Sequence, residues 1–104
     1  MSESLTTTKL KGPPIHPGEH LADELEAMGM SANQLAQALN VPANRITRIL
    51  NGEQAITADT ALRLARYLGT SAELWMRLQN TYELRQAELE KGEQITREVA
   101  VRAA

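Results

Sequence analysis

The stretch of sequence that decides the fold is Ser31–Gly52, SANQLAQALNVPANRITRILNG. It holds two sets of apolar residues at helical spacing, which are Leu35, Ala36 and Leu39 in the first and Ile46, Ile49 and Leu50 in the second. The triplet Asn40-Val41-Pro42 separates the two sets, and Pro42 disfavours the helical conformation at the residue before it. The stretch therefore predicts two short helices joined by a tight turn.

The ends of both helices are marked by residues that begin or stop a helical backbone. Ser31 is a good N-cap for the first helix, because its hydroxyl oxygen accepts a hydrogen bond from a free backbone N–H. Asn40 ends that helix, since asparagine tolerates the left-handed conformation. The second helix is predicted over about 43–50, and Asn51-Gly52 stops it.

The second helix has an outward face that carries Asn44, Arg45, Thr47 and Arg48. These side chains supply hydrogen-bond donors and acceptors that suit base edges and phosphates. Two amphipathic helices joined by a tight turn are also the geometry that places a helix in the major groove of DNA. The residues alone therefore predict a helix-turn-helix unit.

A chain of 104 residues, of which 42% are hydrophobic, is long enough for one small domain with one core. There is no cysteine, so disulfides, thiolate nucleophiles and thiolate metal sites are excluded. No apolar run approaches the ~18 residues that a membrane span requires, and no signal-peptide pattern is present. We therefore expect a cytoplasmic protein that has no membrane partner.

The net charge of −2 and the isoelectric point of about 5.7 argue against DNA binding, since DNA-binding domains tend to be basic. The acidic residues that precede the helix-turn-helix are Glu19, Asp23, Glu24 and Glu26. No acidic residue lies between Glu26 and Glu53, and Arg45 and Arg48 occupy that gap. The acidic run is interpreted either as a solvated helix face or as a docking surface for a basic partner.

The rest of the chain predicts three further helices between two weakly patterned ends. Residues 1–14 are rich in Ser, Thr and Lys and are interpreted as a flexible arm. The further helices are expected from Pro17 to a stop at Gly29, over about 58–68 between Thr57 and Gly69, and over about 72–91 after Ser71. In the C-terminal tail, 92–104, a weak Val99/Val101 alternation allows a short edge strand or no regular structure. The predicted fold class is all-α, with five helices and an extended last helix.

The last helix carries an apolar stripe formed by Leu74, Trp75, Leu78 and Tyr82. At its predicted length of roughly 30 Å, a small domain cannot cover the whole helix. An uncovered apolar stretch usually marks an interface, and a single helix-turn-helix normally pairs with a second copy. The four residues are therefore predicted to form a homodimer interface. The alternative is that the stripe packs back onto the core.

His16-Pro17-Gly18-Glu19-His20 matches the letter pattern H-x-x-E-H of a class of zinc hydrolases. A zinc site on a helix needs both histidines on one face, a third protein ligand and a cleft. Because His16 precedes Pro17, it stands outside the helix and the spacing is lost. We expect His16 to cap the helix or to pack against a loop, and we expect neither a metal site nor an enzyme.

Several motifs, in order along the chain, resemble those of one family. They are Ile15-His16-Pro17-Gly18-Glu19-x-Leu21, the helix-turn-helix, Asn51-Gly52 with Ile56-Thr57, Thr60-Ala61-x-Arg63-Leu64, Leu68-Gly69-Thr70-Ser71 and Trp75-x-x-Leu78-Gln79-x-x-Tyr82-x-Leu84. Over about 15–87 the chain is similar to the HigA antitoxins, members of the xenobiotic-response-element class that includes phage repressors and Cro. The resemblance implies a repressor-like DNA-binding domain, taken here as 15–91.

The resemblance also implies which residues contact DNA, because in the related repressors the first exposed positions of the second helix reach base edges. The residues implied to read bases are Ala43, Asn44, Arg45 and Arg48. The residues better suited to phosphates and to positioning are Ser31, Asn33, Gln34, Thr47 and Asn51. Three alternatives are open: Arg45 or Arg48 pairs with an acidic residue of a neighbouring helix, Gln34 orients a side chain of the second helix, and Asn51 only ends that helix.

The implied function is that of a dimeric antitoxin, which binds a small basic RelE-like toxin that cleaves messenger RNA and represses its own operon through operator DNA. Two other functions fit the same residues. One is a free-standing transcriptional regulator without a toxin. The other is a protein-interaction module that has lost DNA binding, which the acidic isoelectric point favours. No cofactor is expected for any of them.

Overall fold

The structure, a computed structural model, describes residues 13–103 and contains five helices within that range. They are α1 (Pro17–Met28), α2 (Ala32–Leu39), α3 (Ala43–Leu50), α4 (Ala58–Leu68) and α5 (Ala72–Glu98). No strand occurs between residues 13 and 103, so the predicted all-α class with five helices is confirmed. Of the predicted arm, 1–14, residues 1–12 lie outside the described range.

The helix ends follow the caps that were read from the sequence. Four N-cap side chains accept a hydrogen bond from a backbone N–H of the helix that follows, namely those of His16, Ser31, Thr57 and Ser71. Three helices end at a residue in the left-handed conformation, namely Gly29, Asn40 and Gly69. Local sequence therefore sets the bounds of most helices here, because each cap satisfies backbone groups that the helix itself leaves unpaired.

One hydrophobic core holds the five helices together. Its buried members come from every helix and from the loop before α4, and they are Leu21, Leu25, Leu35, Ala36, Leu39, Ile46, Ile49, Ile56, Ala61, Leu64 and Trp75. Trp75 is 2% exposed, and its Nε1 donates a hydrogen bond of 3.0 Å to Thr70 Oγ1. The prediction that Trp75 belongs to a dimer interface is therefore wrong, since its ring faces the domain interior, a helical step of 100° away from Leu74.

The first turn of α1 packs against the last turn of α3 at backbone distance. A Cβ on Gly18 would overlap the carbonyl oxygen of Ile49 and lie 2.9 Å from its carbonyl carbon. Only glycine allows this approach, because any other residue would push the two helices apart. Gly18 therefore positions the end of α3 against α1.

His16 connects α1 to the loop that follows α3. Its Nδ1 accepts a hydrogen bond of 2.9 Å from the Gly18 N–H, and the ring also bonds to the backbone of Gln54. The ring packs edge-on against Tyr82, with centroids 4.9 Å apart. Burial lowers the pKa of His16 below its ordinary value of 6.5, against the smaller opposing effects of Gln54 and Glu19. The helix cap predicted for His16 is confirmed, and it is made by a neutral imidazole.

A buried glutamine ties the same loop to α5. Gln79 is 3% exposed, and its Oε1 accepts a hydrogen bond of 2.8 Å from the Ile56 N–H. Its amide nitrogen donates to Glu83 Oε2, also at 2.8 Å. Both ends of the buried amide are thus satisfied, so the loop is held without an unpaired polar group in the core.

The last helix is longer than predicted, ending at Glu98 rather than near Lys91. The hydroxyl of Thr96 donates to the Gly92 carbonyl at 2.9 Å, and Gln94 donates to Glu98 at 3.0 Å. At about 1.5 Å per residue, α5 is roughly 40 Å long, and nearly all its side chains beyond Gln86 are exposed. Residues 92–98 of the predicted tail therefore belong to α5, and residues 99–103 lack regular structure.

Within residues 13–103, no helix is both long enough and apolar enough to cross a membrane.

The contact of Gly18 with Ile49 predicts that Gly18→Ala destabilises the domain by about 1–3 kcal/mol, the usual effect of overpacking. In a small domain this lowers the melting temperature by several degrees, at about 4–8 °C per kcal/mol. Gly92→Ala is the matched control, because a Cβ on Gly92 meets no atom within 4 Å. Alanine in the middle of α5 should stabilise the protein by about 0.5–1 kcal/mol. Equal melting temperatures for the two variants would contradict the packing argument.

The lowered pKa of His16 predicts a loss of stability in mild acid. As the pH falls below about 6.5, the unfolded chain takes up a proton on His16 before the folded protein does. The contribution of His16 to the free energy of unfolding is therefore complete above that pH and is lost as the pH falls through the lower pKa of the folded state. His16→Asn keeps a capping oxygen but cannot titrate. Melting temperatures at pH 7.5 and 5.5 should differ more in the wild type than in His16→Asn. The same pH dependence in both proteins would exclude His16 as the cause, since His20 is present in each.

Candidate nucleic-acid interface

The orientation of α3 is decided by two fully buried isoleucines. Ile46 and Ile49 are both 0% exposed and anchor the helix on the core. At 100° per residue, the opposite face is centred on Asn44 and includes Arg48. Both of these side chains are exposed, whereas Arg45 lies on the flank and is half-buried. The sequence prediction of a polar outward face on this helix therefore holds, with Arg45 at its edge.

The N-terminus of α3 differs from those of the other four helices. Its N-cap is Pro42, which has no side chain able to accept a hydrogen bond, so no capping bond forms. Ala43, the first residue of the helix, is exposed. The first N–H groups of a helix without a side-chain cap carry a partial positive charge and are open to an external acceptor.

The first turn of α2 is closed by a reciprocal pair of hydrogen bonds. Ser31 Oγ accepts from the Gln34 N–H at 3.1 Å, and the Ser31 N–H donates to Gln34 Oε1 at 2.8 Å. The alternative in which Gln34 orients a side chain of α3 is therefore not what the structure shows. The hydrogen-bond donors of this turn that suit an anion are the amide NH₂ of Gln34, the hydroxyl hydrogen of Ser31 and the exposed side chain of Asn33.

Arg45 is held by an acidic residue of α4. Its Nη1 lies 2.6 Å from Asp59 Oδ2, and the same carboxylate oxygen accepts from Arg63 Nε at 2.9 Å. Arg63 in turn donates to the Leu39 carbonyl at the end of α2, at 2.9 Å. The hydrogen bonds from Arg63 and from Arg45 hold the pKa of Asp59 below its usual range, and the bond from Arg63 has the larger effect. We call these three side chains, Arg45, Asp59 and Arg63, the Asp59 network.

The two arginines of α3 therefore differ in their surroundings. Arg45 forms an ion pair with an acidic residue of a neighbouring helix, which was one of the alternatives left open by the sequence. Arg48 is exposed and forms no ion pair with any residue between 13 and 103. Of the two side chains, only Arg48 reaches solvent without a charged partner in the described part of the chain.

The remaining predicted contacts are engaged locally or end the helix. The Thr47 hydroxyl donates to the Asn44 carbonyl at 3.3 Å, so it must leave that bond before it can donate to a phosphate. Asn51 is exposed and ends α3 with a φ of −83°, whereas Gly52 takes the left-handed conformation with a φ of 77°. The stop at Asn51-Gly52 is confirmed, and Gly52 is the residue that reverses the chain.

The residues predicted for a dimer interface divide between surface and core. Leu74 is 38% exposed, Leu78 and Tyr82 are half-buried, and Trp75 is inside the core. Leu74 and Leu78 line a groove between α1 and α5 that has Asp23 and Glu24 on one side. The groove continues along α5 to Tyr82 and to Arg77. The surface therefore carries an apolar centre between an acidic and a basic side.

Sequence reasoning missed Asp59 and Gln79, which act on the site from outside it. The only local signal for the first is the i, i+4 spacing of Asp59 and Arg63 on one helix. Its bond to Arg45 joins residues 14 positions apart and depends on how α4 packs against α3. Gln79 lies 23 positions from its partner Ile56, and a glutamine on an apolar face gives no sign of which N–H it will meet.

Comparisons with known proteins identify relatives of this chain. A family model described as HTH_3, helix-turn-helix, matches residues 21–75. Virulence-associated protein I of Dichelobacter nodosus is 48% identical over 85% of this chain and 82% of its own length.

Two solved structures are similar over nearly their whole length. An addiction module antidote protein of the HigA family from Coxiella burnetii has a TM-score of 0.86 and 52% identity, covering 88% of this chain and 100% of that one. The Pseudomonas aeruginosa antitoxin HigA, in a structure with the higBA promoter, has a TM-score of 0.82 and 45% identity, covering 84% of this chain and 96% of that one.

Proposed function

Because this chain belongs to the HTH_3 helix-turn-helix family and, within it, to the HigA family, we propose that it is a transcriptional repressor that binds operator DNA and serves as the antitoxin of a toxin–antitoxin pair. The family consists of DNA-binding antitoxins and regulators, so the chain is not an enzyme. A repressor of its own operon acts in the cytoplasm, where the operator is.

The observation that supports this proposal is the exposed, polar outward face of α3. Buried Ile46 and Ile49 fix which side of the helix points outward. That side presents Asn44 and Arg48, and no other helix between residues 13 and 103 covers them. A helix of this kind fits the major groove, where asparagine pairs with adenine and arginine with guanine.

The site residues take different roles in this proposal. Ala43, Asn44 and Arg48 read base edges, and Arg45 does so from the flank of the helix, where Asp59 holds it. The residues proposed to contact phosphates or to set the position of the helix are Ser31, Asn33, Gln34, Thr47 and Asn51. Their donors lie on the first turn of α2 and on the outward face and end of α3.

We further propose that two copies bind DNA together through the groove between α1 and α5. Leu74 and Leu78 form its apolar centre, with Asp23 and Glu24 on one side and Arg77 on the other. A two-fold axis that runs along this apolar centre places the acidic side of one copy against the basic side of the other. The surface is then complementary to itself, as an isologous contact requires. The two copies of α3, the proposed recognition helix, then meet half-sites about one helical turn, ~34 Å, apart or a multiple of it.

The exposed position of Arg48 predicts that Arg48→Ala weakens binding to the operator by about tenfold or more, since one bidentate contact to guanine is worth roughly 1–3 kcal/mol. The probe is a DNA duplex from the region upstream of the gene, and the dissociation constant is measured by fluorescence anisotropy. Specificity should relax at one base pair in each half-site, and the melting temperature should not change.

Arg97→Ala is the matched control for Arg48→Ala, because it removes the same charge from the exposed last turn of α5. Equal weakening by both substitutions would mean that only net charge matters and that Arg48 does not read bases. Loss of thermal stability in Arg48→Ala would assign Arg48 a structural role instead.

The antitoxin role is tested separately from DNA binding, by co-expression with the short reading frame that neighbours the gene. A small basic protein that co-purifies with the tagged chain, and that arrests growth when expressed alone, is the expected result. A neighbour that neither binds nor is toxic would leave a free-standing regulator. Failure of the wild-type protein to bind its upstream duplex would instead favour the protein-interaction module.

A further inference from the structure

The Asp59 network joins three helices at the edge of the DNA-facing surface. Arg63 bonds to the last carbonyl of α2, Asp59 stands in the first turn of α4, and Arg45 comes from α3. The Arg45–Asp59 contact, at 2.6 Å, is also shorter than the Arg63–Asp59 contact at 2.9 Å. The carboxylate is therefore shared between a residue of its own helix and a residue of the recognition helix.

The bond to Asp59 uses only part of the Arg45 guanidinium. The bonded atom is Nη1, while a guanidinium has five N–H donors in a rigid planar fork. Nε and Nη2 form a second edge of the fork, and neither of them bonds to a residue between 13 and 103. An arginine that is held at one nitrogen can still present its other edge, in a single orientation, to guanine or to a phosphate.

We propose that Asp59 is a specificity-determining positioning residue of the DNA interface: it holds Arg45 on the flank of α3 in one orientation and offsets its charge. The inference rests on the DNA-binding part of the proposed function. Without Asp59, the Arg45 side chain is free to swing toward any phosphate within reach. Phosphate contacts are independent of sequence and strengthen binding to every duplex. Asp59 therefore suppresses non-specific binding and preserves the contact that distinguishes the operator.

The test compares the operator duplex with a scrambled duplex of the same composition across a range of salt concentrations. Asp59→Asn should bind the scrambled duplex more tightly, and the ratio of the two dissociation constants should fall by about five- to tenfold. The salt dependence for the scrambled duplex should steepen by about 0.9 in the slope of log K against log salt, the value for one more phosphate contact. Asp59→Glu, which keeps the charge, should retain most of the wild-type ratio.

The same measurements in an Arg45→Ala background separate positioning from simple repulsion. If Asp59 acts through Arg45, then Asp59→Asn changes neither the ratio nor the salt slope once Arg45 is absent. A change of the same size with and without Arg45 would show that Asp59 merely repels DNA and would overturn the proposal. Glu90→Gln is the matched control, since it removes an exposed acidic charge from α5, away from the groove between α1 and α5.

Two further outcomes decide the inference. An unchanged selectivity ratio in Asp59→Asn, with wild-type melting temperature, would overturn it, because a surface ion pair of no functional role behaves in that way. If Asp59→Asn has a lower melting temperature than the wild type, the selectivity ratios of Asp59→Glu and Arg45→Ala are compared instead. Equal ratios in these two variants would also overturn the inference. A wild-type protein that does not distinguish the two duplexes would reject the proposed function itself rather than the role of Asp59.

Discussion

The rest of this structure depends on the backbone contact between Gly18 and Ile49. It brings α1 against the end of the recognition helix at a distance that no side chain permits. Around that contact, His16 caps α1 and bonds to the loop after α3, and Gln79 ties the same loop to α5. The C-terminal end of α3 is thus anchored by main-chain packing and by hydrogen bonds, of which the one from the Ile56 N–H to Gln79 is buried.

The opposite face of the same helix is left open. Asn44 and Arg48 are exposed, and the flank is occupied by Arg45 in the Asp59 network. This arrangement accounts for how an acidic chain presents a DNA-facing surface. The acidic run of α1 precedes the helix-turn-helix, and part of the positive charge near α3 is offset by Asp59. In the proposed function, the non-specific electrostatic share of binding is expected to be small, and recognition is expected to rely on contacts with the bases.

The sequence predicted the local features well and the tertiary ones poorly. The caps at Ser31, Asn40 and Gly69 were read correctly, because a cap is decided by the residue itself and by the backbone within one turn. The end of α5 was placed too early, since Gly92 lies in open space and does not break a helix that continues on both sides. Trp75 was assigned to an interface because an apolar stripe does not show which of its members face inward.

The sequence by itself determined the five helices, the turn between α2 and α3, and the family, because helical periodicity, caps and motifs are encoded within short segments. Only the tertiary structure decided which of the two arginines on α3 pairs with an acidic residue of another helix. The partner of Arg45 lies 14 residues away on another helix, and the pairing exists only where α4 packs beside α3. The same is true of Gly18 and Gln79, whose contacts join segments far apart in the chain. Long-range pairs of this kind carry no periodic signal, so they become visible only once the helices are packed.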